Sequence, residues 1–541
     1  MALFVGVIAL APTAFSTPTT VRSDAGVFYS MFHQLAQGRR LYTDVFDHKD
    51  PLFYVAHTVA YATVGPIGPM LWETVLSASL IVGIVALAGR LGLTWAGRVC
   101  VAATFVVLHF LPSIYVPMHT YQQGIALLIW SLVAASRSWS LVAGLLLGAA
   151  IFSKLPLAAS GPAVLLLCIL GPVGPESWSV ARRRAGRLAL GVATTAAFVL
   201  GALALRGELA GFVDAVLQNI AYPTLNPASA SSFERGATLW GRATALFGAP
   251  PVALYLGLLG VSAAGLATAR GARRVAAAPH GGRIAGSEGR ASAPGVAASK
   301  IGGAASETGD PAHGPANAPR RRAAPWSDPA VNAAVLALAL GGATGVMLLT
   351  ASWWSHHFQI AALAGALALA PPLLLFGRLP RPASVAATVA LPGVVLGLLA
   401  TPSLAGSYAV QSPDLRAADP CEIVLRAQRR TPSRRECGLL GETWPAGTRF
   451  ATIQQNDPGS LAAWTPPGMH LACRLFYQFP WLRPELLDEL AACLERGDID
   501  VVFRAPLRLD VPRLQARLER VMARDFALVR RHGEIEVWQR R

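Results

Sequence analysis

Long apolar runs alternate with short polar joints along most of this chain. Stretches at about 69–89, 99–115, 119–136, 188–205, 249–269, 331–350, 360–377 and 385–402 carry almost no charge. Most are near the roughly 20 residues a helix needs to cross a hydrocarbon core. Unpaired backbone groups are not tolerated in lipid, so repeated spans of this kind must be helices. Shorter apolar runs at 1–14, 140–153 and 156–173 bring the expected number to about eleven. The run at 1–14 is short and lacks a basic flank, so a secretory signal competes with a span whose start lies further upstream. The pair at 140–153 and 156–173 is separated only by Lys154, Leu155 and Pro156, as in a tight re-entrant turn.

The pattern changes after about residue 403, where charges and turns return. Leu486, Leu487, Leu490, Cys493 and Leu494 form a stripe at helical spacing, closed by Gly497 at a capping position. Asp500 to Phe503 reads as a strand, Val511 to Arg524 as a second helix, and Phe526 to Trp538 as a hairpin turning at His532-Gly533. The fold class is therefore a polytopic α-helical membrane protein with a small α/β domain. The transmembrane part covers 1–402 and the carboxyl-terminal domain 403–541.

Charge adds an orientation. Only 14% of the 541 residues are charged, against about 25% for a soluble protein, and the net charge is +16. The basic residues cluster beside apolar spans: Arg90 and Arg98, Arg137, Arg182 to Arg184 with Arg187, Arg270 to Arg274, Arg378 and Arg381. A nucleic-acid partner is not implied by such a distribution. Under the positive-inside rule these joints are cytoplasmic, as is the amino terminus, and the carboxyl-terminal domain is outside. Four outside segments result: 15–68, 206–248, 351–359 and 403 onward. The cytoplasmic segment 270–329 holds nine basic and four acidic residues among Ala, Gly, Pro and Ser. It cannot bury a core and reads as a disordered linker touching anionic headgroups. Cys421, Cys437, Cys473 and Cys493 lie outside, where two disulfides by any of three connectivities compete with free thiols.

Polar residues with chemical potential collect in the first outside segment. It begins Ser23-Asp24 and continues Gly38-Arg39-Arg40-Leu41-Tyr42-Thr43-Asp44. It ends Asp47-His48-Lys49-Asp50-Pro51-Leu52. Phe28, Met31, Phe32 and Leu35 share one helical face, predicting a helix along the bilayer surface that starts at Asp24. Asp24 alone would be a helix cap.

This segment resembles the first outside loop of GT-C class membrane glycosyltransferases, such as protein O-mannosyltransferases and bacterial aminoarabinose transferases. That loop opens with an acidic residue, passes through a Gly-Arg-x-Leu-Tyr-x-Asp-like stretch and ends at a Lys-Pro-Pro-Leu-like element. Here Asp50 replaces the first proline, and the lysine is kept. Gly144-Leu145-Leu146-Leu147-Gly148 leading to Lys154 is similar to a second element of the class. Trp353-Trp354-Ser355-His356-His357-Phe358 is similar to a third.

The resemblance implies inverting transfer of a sugar from a polyprenyl-phosphate donor to a hydroxyl on a glycan, lipid or protein, outside the membrane. Asp24 is then expected as general base. Lys49, Lys154, His356 and His357 are expected at the donor phosphate. Asp44 and Asp47 would orient the acceptor or hold a cation. Sequence leaves metal need open, and solvated turn carboxylates, lysine snorkelling and an interfacial aromatic belt are the plainer readings of the same residues. Asp498-Ile499-Asp500 reads as turn chemistry rather than a metal–nucleotide element. The competing function is a multi-pass transporter or flippase, which favours ionisable residues and broken helices near the midplane; here most spans have clean centres, with His109 and Glu73 the few titratable residues near them.

Overall fold

A computed structural model describes residues 23–65, 68–109, 120–170, 177–225, 260, 329–350, 359–376, 444–453, 469–475, 482–504, 512–532 and 535–541. Apart from Gly260 and Pro329, the linker at 270–329 and the spans at 1–14, 249–269 and 385–402 lie outside the described residues, as do Cys421 and Cys437.

Two helices come first among the described residues: α1 (Ser23–Ala36) and α2 (Pro51–Val64). A helical bundle follows, with α3 (Gly68–Arg90), α4 (Trp95–His109), α5 (Thr120–Ser136), α6 (Ser140–Ser153), a 3-10 helix (Leu155–Ser160), α7 (Gly161–Leu170) and α8 (Trp178–Leu205). Next come α9 (Leu209–Leu225), α10 (Pro329–Thr350), α11 (Gln359–Leu367) and α12 (Ala370–Phe376). The carboxyl-terminal domain contributes β1 (Arg449–Ile453), β2 (His470–Leu471), α13 (Pro484–Glu495), β3 (Val501–Arg504), α14 (Pro512–Asp525), β4 (Phe526–His532) and β5 (Ile535–Arg540).

Two described helices, α3 and α8, are long and apolar enough to cross a membrane, and six shorter apolar helices accompany them. In α8, Phe198 is 74% and Leu205 92% exposed, and Leu190 is exposed as well. Such a helix face is suited to lipid, where apolar side chains need no protein cover. The described residues are mainly helical, and the length and apolar face of α3 and α8 fit a membrane setting.

The bundle closes around α5, of which almost every residue is buried. Small residues allow α6 and α8 to touch backbone to backbone. A Cβ on Gly144 would lie 2.1 Å from Leu188 O, one on Gly191 2.4 Å from Leu141 O, and one on Gly148 2.7 Å from Thr195 Cβ. The Gly-x-x-x-Gly element of the sequence is thus a helix-crossing device. α6 ends at Ser153, and Lys154 is its carboxyl cap.

The carboxyl-terminal sheet has the order β2-β1-β3-β5-β4. β1 runs parallel to β2 and β3, while β5 is antiparallel to β3 and β4. Phe450, Val501 and Val537 point into a core covered by α13 and α14, whose apolar stripes bury Leu487, Leu490, Leu514 and Leu518. The expected helices, the strand at Val501 and the hairpin are all present. β1 and β2 are additions that their short lengths hid. Cys473 and Cys493 form a disulfide. In Asp498-Ile499-Asp500, Asp498 pairs with Arg449 at 2.7 Å and Asp500 accepts from Arg449 N at 2.7 Å.

The domain does not stand apart from the rest. One continuous apolar core joins Phe28, Phe32, Phe53 and Tyr54 of the first segment to Phe212 of α9 and to the sheet domain.

Candidate active site

The first segment folds back on itself through its aromatic residues. Phe28 and Phe32 on α1 meet Phe53, Tyr54 and His57 on α2, with Phe28 and Phe53 edge to face at 5.1 Å and Phe32 stacked on His57 at 5.1 Å. The stripe that predicts α1 is therefore the stripe that holds it to α2. His57 Nε2 lies 3.0 Å from Glu73 Oε1, anchoring α2 to the bundle helix α3. Glu73 thereby belongs to the support of this loop.

Between α1 and α2 the chain turns at Gly38 (φ +87°) and at Tyr42, which holds φ +66° although it is not glycine. Three contacts hold Tyr42 in that conformation. Its N–H donates to Val45 O (2.6 Å), its hydroxyl donates to Lys49 O (2.6 Å), and its carbonyl accepts from Arg474 Nη1 (2.9 Å). Asp44 accepts from Arg40 N (2.9 Å) and pairs with the Arg40 guanidinium (3.1 Å). Burial opposes its ionisation, but the Arg40 hydrogen bonds and charge win and hold its carboxyl below the usual range.

The end of the loop is a tight polar cluster. Asp47 is fully buried, taking the Tyr54 hydroxyl on one oxygen and His48 N–H (2.6 Å) on the other. Lys49 Nζ is 3.0 Å from His48 Nε2. An ammonium only donates, so Nε2 accepts and the imidazole proton resides on Nδ1, facing Asp47 Oδ1 at 3.0 Å. Burial, with the Lys49 charge next to it, holds His48 below its ordinary pKa and keeps the ring neutral.

Lys154 reaches this cluster from the far side. It sits between α6 and the 3-10 helix, in extended conformation, with Nζ 4.8 Å over the Tyr121 ring. Asp50 Oδ2 accepts from Leu155 N at 3.2 Å, joining the loop to the Lys154 junction. Gln123 on α5 strengthens the same joint by donating to Leu52 O and Ser153 Oγ, both at 3.0 Å. Lys49 and Lys154, expected to act on one phosphate, thus come from segments brought together at one corner of the fold.

Asp24 is the second residue of α1, at its amino end, where helix dipoles favour a carboxylate. His356 and His357 lie outside the described residues. Sequence reasoning missed four participants. Asp50 was read as a loss of proline and turns out to be a tie. Arg474, Asp214 and Asn219 carry no local signal: Arg474 pairs with Asp214 at 3.2 Å, and Asn219 donates to His48 O at 2.6 Å. Among the described residues no group of three metal-ligating side chains is found.

Two solved structures are similar to this one. The Archaeoglobus fulgidus oligosaccharyltransferase, tethered with an acceptor peptide containing the NVT sequon, matches at 11% identity over 93% of this chain and 68% of its own, with a TM-score of 0.42. ArnT from Cupriavidus metallidurans in the apo state matches at 14% identity over 99% of this chain and 96% of its own, with a TM-score of 0.40. No protein-family model and no curated protein matches the sequence. At these identities and TM-scores the functional reading rests on the residues of the site.

Proposed function

We propose that this protein is a membrane glycosyltransferase that moves a sugar from a polyprenyl-phosphate donor to a hydroxyl acceptor on the extracytoplasmic face. The observation that carries the reading is the junction of the first outside loop with Lys154. Lys49, Lys154 and a fully buried hydrogen-bonded carboxylate, Asp47, are brought together there.

In this reading Asp24 takes the proton of the acceptor hydroxyl as its oxygen attacks the anomeric carbon. The carbon–oxygen bond to the donor phosphate breaks, and the phosphate leaves with one more negative charge. Lys49 and Lys154, with His356 and His357, stabilise that charge. Asp44 and Asp47 orient the acceptor or a divalent cation. The activated sugar must be lipid-linked, since nucleotide sugars are cytoplasmic and the loop is outside. The Cys473–Cys493 disulfide supports an oxidising location for the carboxyl-terminal domain. That domain leans on the same loop through Arg474, which supports a role in receiving an envelope acceptor.

The alternative, a transporter or flippase for a lipid-linked or polar substrate, draws on the buried His57–Glu73 pair. Membranes holding the protein or Asp24→Ala, supplied with radiolabelled polyprenyl-phosphate sugars, separate the two. Label passing from lipid to envelope material, lost in the variant at equal protein level, is the expected result. Equal turnover in both removes Asp24 from the mechanism.

A further inference from the structure

Asp50 occupies the amino-cap position of α2, yet its side chain makes no bond to that helix's first turn. A capping carboxylate ordinarily serves the free N–H groups of its own helix. This one instead caps the 3-10 helix 105 residues away, immediately after Lys154. Asp50 is 5% and Lys154 8% exposed, so the carboxylate and the ammonium share a nearly dry corner walled by Tyr121. Lys49 immediately precedes Asp50 in sequence and also acts on it electrostatically. The corner therefore already contains a carboxylate of the protein's own, tied to the Lys154 junction and in the field of both lysines. A buried charge without a counter-charge is costly, and Asp50 contributes counter-charge to this corner.

A phosphate brought to these lysines adds a second negative charge beside Asp50, and like charges in a low-dielectric corner cannot both persist. We propose that Asp50 is a positioning residue that serves as resident counter-anion of the Lys49–Lys154 pair and takes up a proton when a phosphodiester binds there. The inference rests on the reading of that pair as the donor-phosphate site. Burial, opposed by Lys154 and by Leu155 N–H, already pushes the Asp50 carboxyl up to about 6, so the proton is within reach near neutrality. The other charged or titratable groups facing it are Asp47, His48 and Lys49 on the loop, Lys154 at the junction, Tyr42, and Tyr121 on α5. Of these, Asp47 is fixed by Tyr54 and His48, and His48 is held neutral.

The sign follows from linkage. A bound phosphodiester raises the proton affinity of Asp50, so binding consumes a proton and tightens as pH falls from the raised value to about 6, levelling off below it. Each unit by which the ligand raises that pKa is worth about tenfold in affinity between the two limits. Dihexyl phosphate is a suitable probe, because its single charge does not titrate between pH 5 and 8. Calorimetric titration of the full chain in detergent, in buffers of different ionisation enthalpy, reads affinity and proton uptake together.

The wild type is expected to bind about tenfold more tightly at pH 5.5 than at pH 8, with net proton uptake near pH 6. Asp50→Asn keeps an acceptor for Leu155 N but cannot ionise, so it should bind tightly at both pH values without proton uptake. Unchanged proton uptake in Asp50→Asn, or uptake abolished by His48→Asn instead, overturns the inference. So does an Asp50→Asn protein that is folded but binds weakly at both pH values. A wild type that transfers sugar yet binds the probe without pH dependence defeats this inference alone. Proton-linked binding without transfer from any donor defeats the transferase reading and leaves the inference standing.

Discussion

Arg474 joins the carboxyl-terminal domain to the loop that carries Lys49, and its replacement by alanine has a calculable effect. Its contacts divide into two groups. The paired bonds to Glu489 (2.6 and 2.5 Å) lie within the domain and contribute nothing to docking. Across the junction Arg474 donates to Tyr42 O at 2.9 Å, pairs with Asp214 at 3.2 Å and covers the Phe46 ring at 5.2 Å. A net hydrogen bond is worth about 1 kcal/mol. The Asp214 pair is one-third exposed and contributes less than about 1 kcal/mol. The ring contact adds about 0.5–1 kcal/mol. Docking should therefore weaken by about 2 kcal/mol, roughly a thirtyfold shift towards the undocked form. Phe46 N→Arg474 O survives, because it uses backbone atoms.

Hydrogen–deuterium exchange checks this directly. The amides of Tyr42, Val45 and Phe46 should exchange about ten- to thirtyfold faster in Arg474→Ala. Those of Phe450 and Phe503 in the sheet should stay protected. Arg474→Lys keeps the charge but loses the fork, and should fall between. Unchanged exchange at Tyr42 and Phe46, or equal loss of protection throughout the sheet, would refute the reasoning.

Two further outcomes follow from the fold. The Cys473–Cys493 bridge closes a 20-residue separation, so replacing both cysteines by serine should destabilise the domain by about 3 kcal/mol, read as a lower denaturant midpoint for the domain's tryptophan fluorescence. Gly144→Leu should prevent the α6–α8 crossing, since even a Cβ would lie 2.1 Å from Leu188 O. Its cost lies at or above the top of the usual range of about 1–3 kcal/mol for overpacking, and displacement of Lys154 should abolish donor turnover in whatever protein still folds.

The apolar runs, the helices of the tail and the stripe on α1 were legible because each depends on local periodicity. The stripe Phe28-Met31-Phe32 predicts both a helix and a buried face, and the structure supplies its partner in α2. The helix α9 was not read, since Asp214, Gln218 and Asn219 interrupt its apolar face. Those residues are now seen to bridge the loop and the domain, with Gln218 accepting from Arg483 N at 2.9 Å. β2 spans only two residues and exists through pairing with β1, which no local pattern encodes. The site shows the same division. Lys49 and Lys154 were named from motifs, while Asp50 and Arg474 take their meaning from contacts more than a hundred residues away in the chain. Asp50 was also obscured by its position before Pro51, where a capping or turn role is the ordinary one.

A transferase acting as proposed breaks a bond between sugar and lipid phosphate outside the membrane. Purified protein in proteoliposomes, given a polyprenyl-phosphate sugar and an envelope extract as acceptor, allows that bond to be followed by phosphorus NMR. The account predicts conversion of the donor phosphodiester resonance to polyprenyl monophosphate, dependent on the extract and lost in Asp24→Ala. Donor that crosses the bilayer with its phosphodiester intact would contradict it and identify a flippase instead.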